Sequence, residues 1–172
     1  MTSLSIVVPV LDEAEGIDAT LASLAPLRAR GAELIVVDGG SRDATVARAQ
    51  PLADRVIEGP RGRARQMNAG AAVARAPTLL FLHADTRLPE DADRLIASAL
   101  GVAPLAWGRF DVAIEGHSRM LPVVAAMMNV RSRLSGIATG DQAMFMTRAA
   151  FEAAGGFPDQ PLMEDIELSA RL

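Results

Sequence analysis

Short, nearly uninterrupted apolar runs separated by amphipathic stretches set the rhythm of the first hundred residues. Leu4–Val10, Glu33–Val37 and Thr78–Leu82 are rich in Val, Ile and Leu, and runs of this length without polar alternation predict strands buried on both faces, as in a parallel sheet. Between the first two, Ile17, Leu21, Leu24 and Leu27 recur at helical spacing and predict one helix from about Glu15 to Arg30. After the second run the turn Gly39-Gly40-Ser41 leads to a helix starting at Asp43. Arg55–Glu58 is short and weakly apolar, as an edge strand is. Gly59-Pro60 breaks the chain before a helix from about Arg63 to Arg75, and Pro89-Glu90-Asp91 opens another, with proline and acids in the first turn where they suit the helix dipole.

From Ala106 the pattern changes. Trp107–Glu115 alternates apolar and polar residues and predicts a half-exposed antiparallel strand. A helix over 118–134 follows, then a turn around Gly136 and Gly140, a short strand over 142–146, a helix over 148–154 stopped by Gly155-Gly156, and a last helix from Met163. Met120, Met127, Met128, Met144 and Met146 read as core packing, and 118–134 as a buried amphipathic helix. Its flanking arginines keep a membrane surface or a lipid-linked acceptor open. The expected fold class is α/β, a mostly parallel sheet flanked by helices with an antiparallel addition in the second half.

At 172 residues the chain is expected to be one domain, 1–172. The net charge of −4 gives no general attraction for nucleic acid. There are no cysteines, which removes disulfides, thiolate metal sites and cysteine nucleophiles. All 17 basic residues are arginines, so there is no lysine for Schiff-base chemistry or a phosphate loop, and an anion must be held by Arg, backbone N–H groups or a metal. The amino terminus reads as a strand rather than a signal peptide, and the longest later apolar run, Leu121–Val130, is far short of the roughly 20 residues of a membrane span. A cytoplasmic protein without a transmembrane segment is expected, with peripheral membrane contact and homo-oligomerisation left open.

Against this background three apolar runs share an ending: Leu34–Asp38, Leu79–Asp85 and Pro161–Asp165 each finish on acids. In an open α/β sheet the ligand crevice lies beyond the carboxyl ends of the strands, so Asp38 and Asp85 are expected to face one crevice. Each has a plainer reading, Asp38 as a turn or cap residue, Asp85 as an exposed loop acid, and Glu164-Asp165 as a helix amino-terminal charge cluster. Gly59–Gly70 places Arg61, Arg63 and Arg65 at a helix amino terminus, where N–H groups already favour anions. Thr139-Gly140-Asp141-Gln142 reads either as an ordinary turn or as pocket lining.

Val7–Glu13, Val36–Asp43, His83-Ala84-Asp85 and Glu164-Asp165, in this order and spacing, resemble the family 2 glycosyltransferases of the GT-A fold along essentially the whole chain. The resemblance implies transfer of a sugar from a UDP- or GDP-sugar to a hydroxyl acceptor, with inversion and with Mg²⁺ or Mn²⁺. It implies a nucleotide-binding half over 1–105 and an acceptor-side half over 106–172. The nucleotide is then expected against Pro9, Val10, Glu13, Asp38, Gly39, Arg65, Asn68 and Ala84, with Asp38 accepting from the base. Asp85 is the expected metal ligand, with His83 where the family usually carries the first Asp of an Asp-x-Asp signature. Asp165 is the expected general base, and Gly140, Asp141 and Glu164 line the acceptor side. The family normally continues past the equivalent of Leu172, so the chain reads as short at this end.

Two rival readings stand beside this one. A nucleotidyltransferase of similar fold usually carries a Gly-rich, basic loop after the first strand. Here that place holds Asp12-Glu13-Ala14-Glu15, which repels a triphosphate. A non-catalytic module that binds nucleotide sugar is the second alternative.

Overall fold

The computed structural model describes residues 3–160 and 162–172. Met1, Thr2 and Pro161, the residue that opens the third acid-terminated run, lie outside them. The elements in chain order are β1 (Leu4–Val10), α1 (Ile17–Ser23), α2 (Ala25–Ala29), β2 (Glu33–Asp38), α3 (Thr45–Ala49), β3 (Arg55–Glu58), α4 (Arg63–Val73), β4 (Thr78–Phe81), α5 (Ala92–Leu100), β5 (Trp107–Gly108), α6 (Leu121–Ser135), β6 (Phe145–Thr147), α7 (Arg148–Ala153) and α8 (Glu164–Arg171). They build one six-stranded sheet ordered β3-β2-β1-β4-β6-β5. β1 pairs parallel with β2 and β4, β2 parallel with β3, and β6 antiparallel with both β4 and β5. The mostly parallel sheet with an antiparallel addition is as the pattern predicts, and β3 is an edge.

Unbroken apolar runs form strands here because both sheet faces are covered. Successive side chains alternate faces: Ile6, Val8, Leu34, Val36, Leu80 and Leu82 pack with Ile17, Leu21, Leu27, Ile96 and Leu100 of α1, α2 and α5. Val7, Ile35, Val37, Leu79 and Phe81 pack with Met67, Ala71, Phe151 and Leu168 of α4, α7 and α8. This double cover fixes β1, β2 and β4 in depth and register, and with them whatever follows their carboxyl ends.

Local chemistry moves several boundaries. The helix predicted over 15–30 is two, parted at Leu24, because Pro26 sits at the start of the second and supplies no N–H to the first. Asp43 precedes α3 instead of opening it, its carboxylate accepting from Thr45 N at 2.9 Å. Of the strand predicted over 107–115 only Trp107–Gly108 pairs with the sheet. Beyond Phe110, whose N–H donates to Gln142 O, the chain leaves the ladder and Asn129 of α6 bonds both Val112 N and Val112 O at 2.9 Å. The alternation there reflects packing against a helix, not a strand. The residues of the strand predicted over 142–146 are shared between a 3₁₀ turn, Gly140–Gln142, and β6.

Helix α6 departs furthest from expectation. Only Ala125 and Ser132 of its residues are buried. Met120, Val123, Val124, Met127, Val130 and Leu134 are exposed, so Met120 and Met127 pack no core, whereas Met144 and Met146 do. The apolar stripe of α6 faces out of the domain.

Candidate active site

The loops after β1 and β2 are tied into one rim. Asp12 N donates to Ser41 Oγ and Arg42 N to Asp12 Oδ1 (2.9 and 2.7 Å), while Glu13 N donates to Thr45 Oγ1 and Ala14 N to Asp43 Oδ2 (2.8 and 3.0 Å). Asp38 ends β2 opposite Val10 in the ladder and is buried. Its carboxylate accepts from Gly40 N at 2.9 Å and Ser41 N at 3.0 Å, so it shapes the glycine turn. Gly39 follows under the side chain of Gln66, and a Cβ at Gly39 would come within 2.9 Å of the Gln66 amide oxygen. Gln66, buried, donates to Val10 O and to Val37 O at 2.8 Å each and thereby clamps the carboxyl ends of β1 and β2 together.

At those ends lies a crevice of about 420 Å³ lined by Pro9, Val10, Leu11, Glu13, Arg61, Gly62, Arg63, Gln66, His83, Ala84 and Asp85. Five sequence-predicted residues, Pro9, Val10, Glu13, Ala84 and Asp85, therefore share one wall system. Asp38 and Gly39 do not line it: Asp38 is buried and pairs with the lining residue Val10, and Gly39 packs under Gln66. Arg65 and Asn68 do not line it. Arg65 makes a two-pronged ion pair with Asp159 (2.6 and 2.8 Å), and Asn68 holds the Phe157 backbone, donating to Phe157 O at 2.8 Å and accepting from Phe157 N at 3.0 Å. The reason is helical geometry: residues three apart share a face of α4, so Arg63 and Gln66 look onto the crevice while Arg65 and Asn68 look onto the 157–159 segment. Leu11, Arg61, Gly62, Arg63 and Gln66 are crevice residues the sequence reading did not select, and the i, i+3 spacing of Arg63 and Gln66 was the available signal for those two.

Charge in the crevice is uneven. Partial burial raises the Glu13 carboxyl above its ordinary pKa, and repulsion from Asp85 and then Asp43 adds to the effect. Burial lowers the pKa of His83, helped by the Arg63 guanidinium and opposed by Asp85, Asp165 and Asp141. That imidazole sits among three acids and one arginine, and its burial favours the neutral form.

No group of three or more His, Asp or Glu side chains gathers to cage a metal among the described residues. Asp85 is exposed on the crevice wall, with only a 3.3 Å contact from Thr86 Oγ1 to its Oδ1. One free carboxylate beside a second repelled one suits a hard divalent cation that takes most of its oxygens from phosphate and water. The donor set therefore fits Mg²⁺ or Mn²⁺ with Asp85 as ligand.

The late acidic pair approaches from the other side of His83. Asp165 Oδ2 accepts from Gly140 N, and its Oδ1 from Ile166 N at 2.8 Å. Gly140 lies against His83 so closely that a Cβ there would overlap the ring. His83, Gly140 and Asp165 meet in a small cavity closed by Met67, Phe81, Met144 and Phe157. Glu164 is buried and lies 3.5 Å from Arg63 Nε. Asp141 stands in the 3₁₀ turn beside them, its charge felt by His83.

Known proteins share this arrangement at fold level. The profile described as Glycosyl transferase family 2 matches residues 5–150. The structure is similar to the mannosyltransferase PcManGT from Pyrobaculum calidifontis in complex with GDP-Man and Mn²⁺, with 22% identity, a TM-score of 0.76, and 97% of this chain and 50% of that one covered. It is similar to S. aureus TarS 1-349 in complex with UDP-GlcNAc (18% identity, TM-score 0.76, 99% and 53% covered). It also resembles glucosyl-3-phosphoglycerate synthase from Mycobacterium tuberculosis in complex with Mn²⁺, UDP and glucosyl-3-phosphoglycerate (20% identity, TM-score 0.67, 97% and 63% covered). The chain thus spans between 50% and 63% of the length of these structures. No curated protein matches it.

Proposed function

Because the chain belongs to glycosyl transferase family 2, we propose that it moves a sugar from a UDP- or GDP-sugar to a hydroxyl acceptor with inversion, using the crevice beyond β1, β2 and β4. The observation that carries this reading is the convergence of Pro9, Val10, Glu13, Ala84 and Asp85 on one crevice whose opposite wall is Arg61 and Arg63 at the start of α4. A diphosphate there meets two guanidiniums and helix N–H groups. Mg²⁺ or Mn²⁺ held by Asp85 would stabilise negative charge on the leaving diphosphate. Asp165 takes the proton of the acceptor hydroxyl as its oxygen forms the new bond to the anomeric carbon and the bond from that carbon to the phosphate oxygen breaks. Gly140 N–H and Ile166 N–H hold the carboxylate for that step, and Gly140, Asp141 and Glu164 border the acceptor side. Asp38 keeps its turn and offers its remaining acceptor capacity to the base. The nucleotide-binding work falls to residues 1–105 and the acceptor work to 106–172.

A thermal-shift screen of UDP-glucose, UDP-GlcNAc and GDP-mannose, with and without Mn²⁺, tests the donor site. At least one is expected to raise the melting temperature in a Mn²⁺-dependent manner, and Asp85→Ala to remove the Mn²⁺-dependent part. No shift with any of them, or an unchanged Mn²⁺ response in Asp85→Ala, sinks the assignment.

The exposed stripe of α6 supports an acceptor presented at a membrane surface. Between Glu115 and Asp141 there is no acidic residue, and Arg119, Arg131 and Arg133 lie in that interval. Pro122, Val123, Ala126, Met127, Val130 and Arg131 line an open apolar groove of about 590 Å³. Apolar side chains beside Arg119 and Arg131, with Arg133 paired to Asp111, suit the boundary of an anionic bilayer. Binding to phosphatidylglycerol vesicles is expected, weakening with salt, and Met127→Glu lowers the partition by about tenfold through loss of one buried apolar side chain. Equal sedimentation with neutral and anionic vesicles rules this out.

A further inference from the structure

We infer that Arg63 joins the donor crevice to the first turn of α8 and acts on Asp165 through Glu164, as a positioning residue that makes the general base depend on bound donor. This deepens the donor-site reading and rests on it. Three contacts tie α4 to Phe157, Asp159 and the first residue of α8: Asn68 to the Phe157 backbone (2.8 and 3.0 Å), Arg65 to Asp159 (2.6 and 2.8 Å) and Arg63 to Glu164 (3.5 Å). The first two are complete, with short, directed hydrogen bonds. The third is not. The Glu164 side chain is 3% exposed, yet its Oε1 has no hydrogen-bond partner among the described residues, although a buried carboxylate oxygen is ordinarily satisfied.

Arg63 is the group that can complete it. Its side chain is 46% exposed, lines the crevice, and approaches Glu164 through Nε. A guanidinium presents five N–H donors in a rigid fork, so Nε can serve Glu164 while the terminal nitrogens serve phosphate oxygens. A diphosphate in the crevice then immobilises Arg63 and gives the buried carboxylate a fixed partner. Glu164 adjoins Asp165 in the first turn of α8. Its N-cap, Met163, has φ +65 and makes no side-chain cap, and the Asp165 carboxylate rests on the N–H groups of Gly140 and Ile166. Fixing Glu164 therefore fixes the base, and the donor is expected to bind before the acceptor is activated.

Hydrogen exchange followed in peptides covering 61–67 and 163–172, with UDP or GDP plus Mn²⁺, tests this. In the wild type, nucleotide binding is expected to slow exchange in both peptides, although residues 163–172 do not line the crevice. Arg63→Gln is expected to weaken nucleotide binding about tenfold, the loss of one charge-assisted hydrogen bond. At saturating nucleotide it keeps protection in 61–67 and loses it in 163–172. Glu164→Ala, which has no acceptor for Arg63 Nε, still binds nucleotide and loses the α8 protection, which covers the case of Arg63→Gln failing to fold by circular dichroism. Wild-type binding without protection of α8, or α8 protection unchanged in the variants, overturns the inference while the donor site stands. If neither nucleotide binds the wild type, the donor-site reading itself fails.

Discussion

Asp85 and Asp165 reach the same neighbourhood by different means. Asp85 follows β4, a strand buried on both faces between β1 and β6, with the intervening Ala84 O accepting from Thr20 Oγ1 of α1. Its place is set by the sheet, whose packing moves little. Asp165 stands in the first turn of an eight-residue helix and is held by two backbone N–H groups and by neighbours from α4 and the 3₁₀ turn. A carboxylate fixed by a sheet serves binding well. A carboxylate fixed by a few polar contacts can respond to what is bound nearby.

Breaking the catalytic side alone should have the largest effect. Asp165→Asn can keep only one of the hydrogen bonds from Gly140 N and Ile166 N, which reach different carboxylate oxygens, and it removes the proposed base. Turnover, followed as nucleoside diphosphate release from whichever donor binds, is expected to fall by about 10²–10⁴-fold while the nucleotide dissociation constant stays within about twofold. Equal loss of binding and turnover would merge the two regions into one functional unit and remove the distinction.

A smaller effect sharpens the join between them. Gly140→Ala forces a Cβ onto the His83 ring, and overpacking of this kind costs about 1–3 kcal/mol, roughly 2–10 °C in melting temperature for a domain this size. Because Gly140 N also holds Asp165, turnover is expected to drop further than nucleotide affinity. A variant that melts normally and turns over normally would show that His83 and the 3₁₀ turn have room to part.

The positions of Asp38, His83 and Asp85 were legible from the chain, because each follows an apolar run that only a doubly covered strand explains, and such strands end at a common edge. The same reasoning selected Arg65 and Asn68 from a basic helix start. Composition does not say which side of a helix faces the crevice, and tertiary packing gave Arg65 to Asp159 and Asn68 to Phe157. The outward apolar stripe of α6 was read as core for a related reason: periodicity reveals that a helix has an apolar face but not what that face meets.

By itself the sequence determined the α/β class, the mostly parallel sheet of buried strands, the absence of thiol and lysine chemistry, and the acids at the strand ends, since these follow from local patterning and side-chain identity. Only the tertiary structure decided that Arg63 and Gln66 face the crevice, that Gly140 and His83 leave no room for a Cβ, and that Glu164 is buried beside Arg63. Gly140 and His83 are 57 residues apart and Glu164 and Arg63 are 101 apart, with no repeat or periodicity linking them, and long-range contacts of this kind are set by how helices dock on the sheet rather than by any local preference.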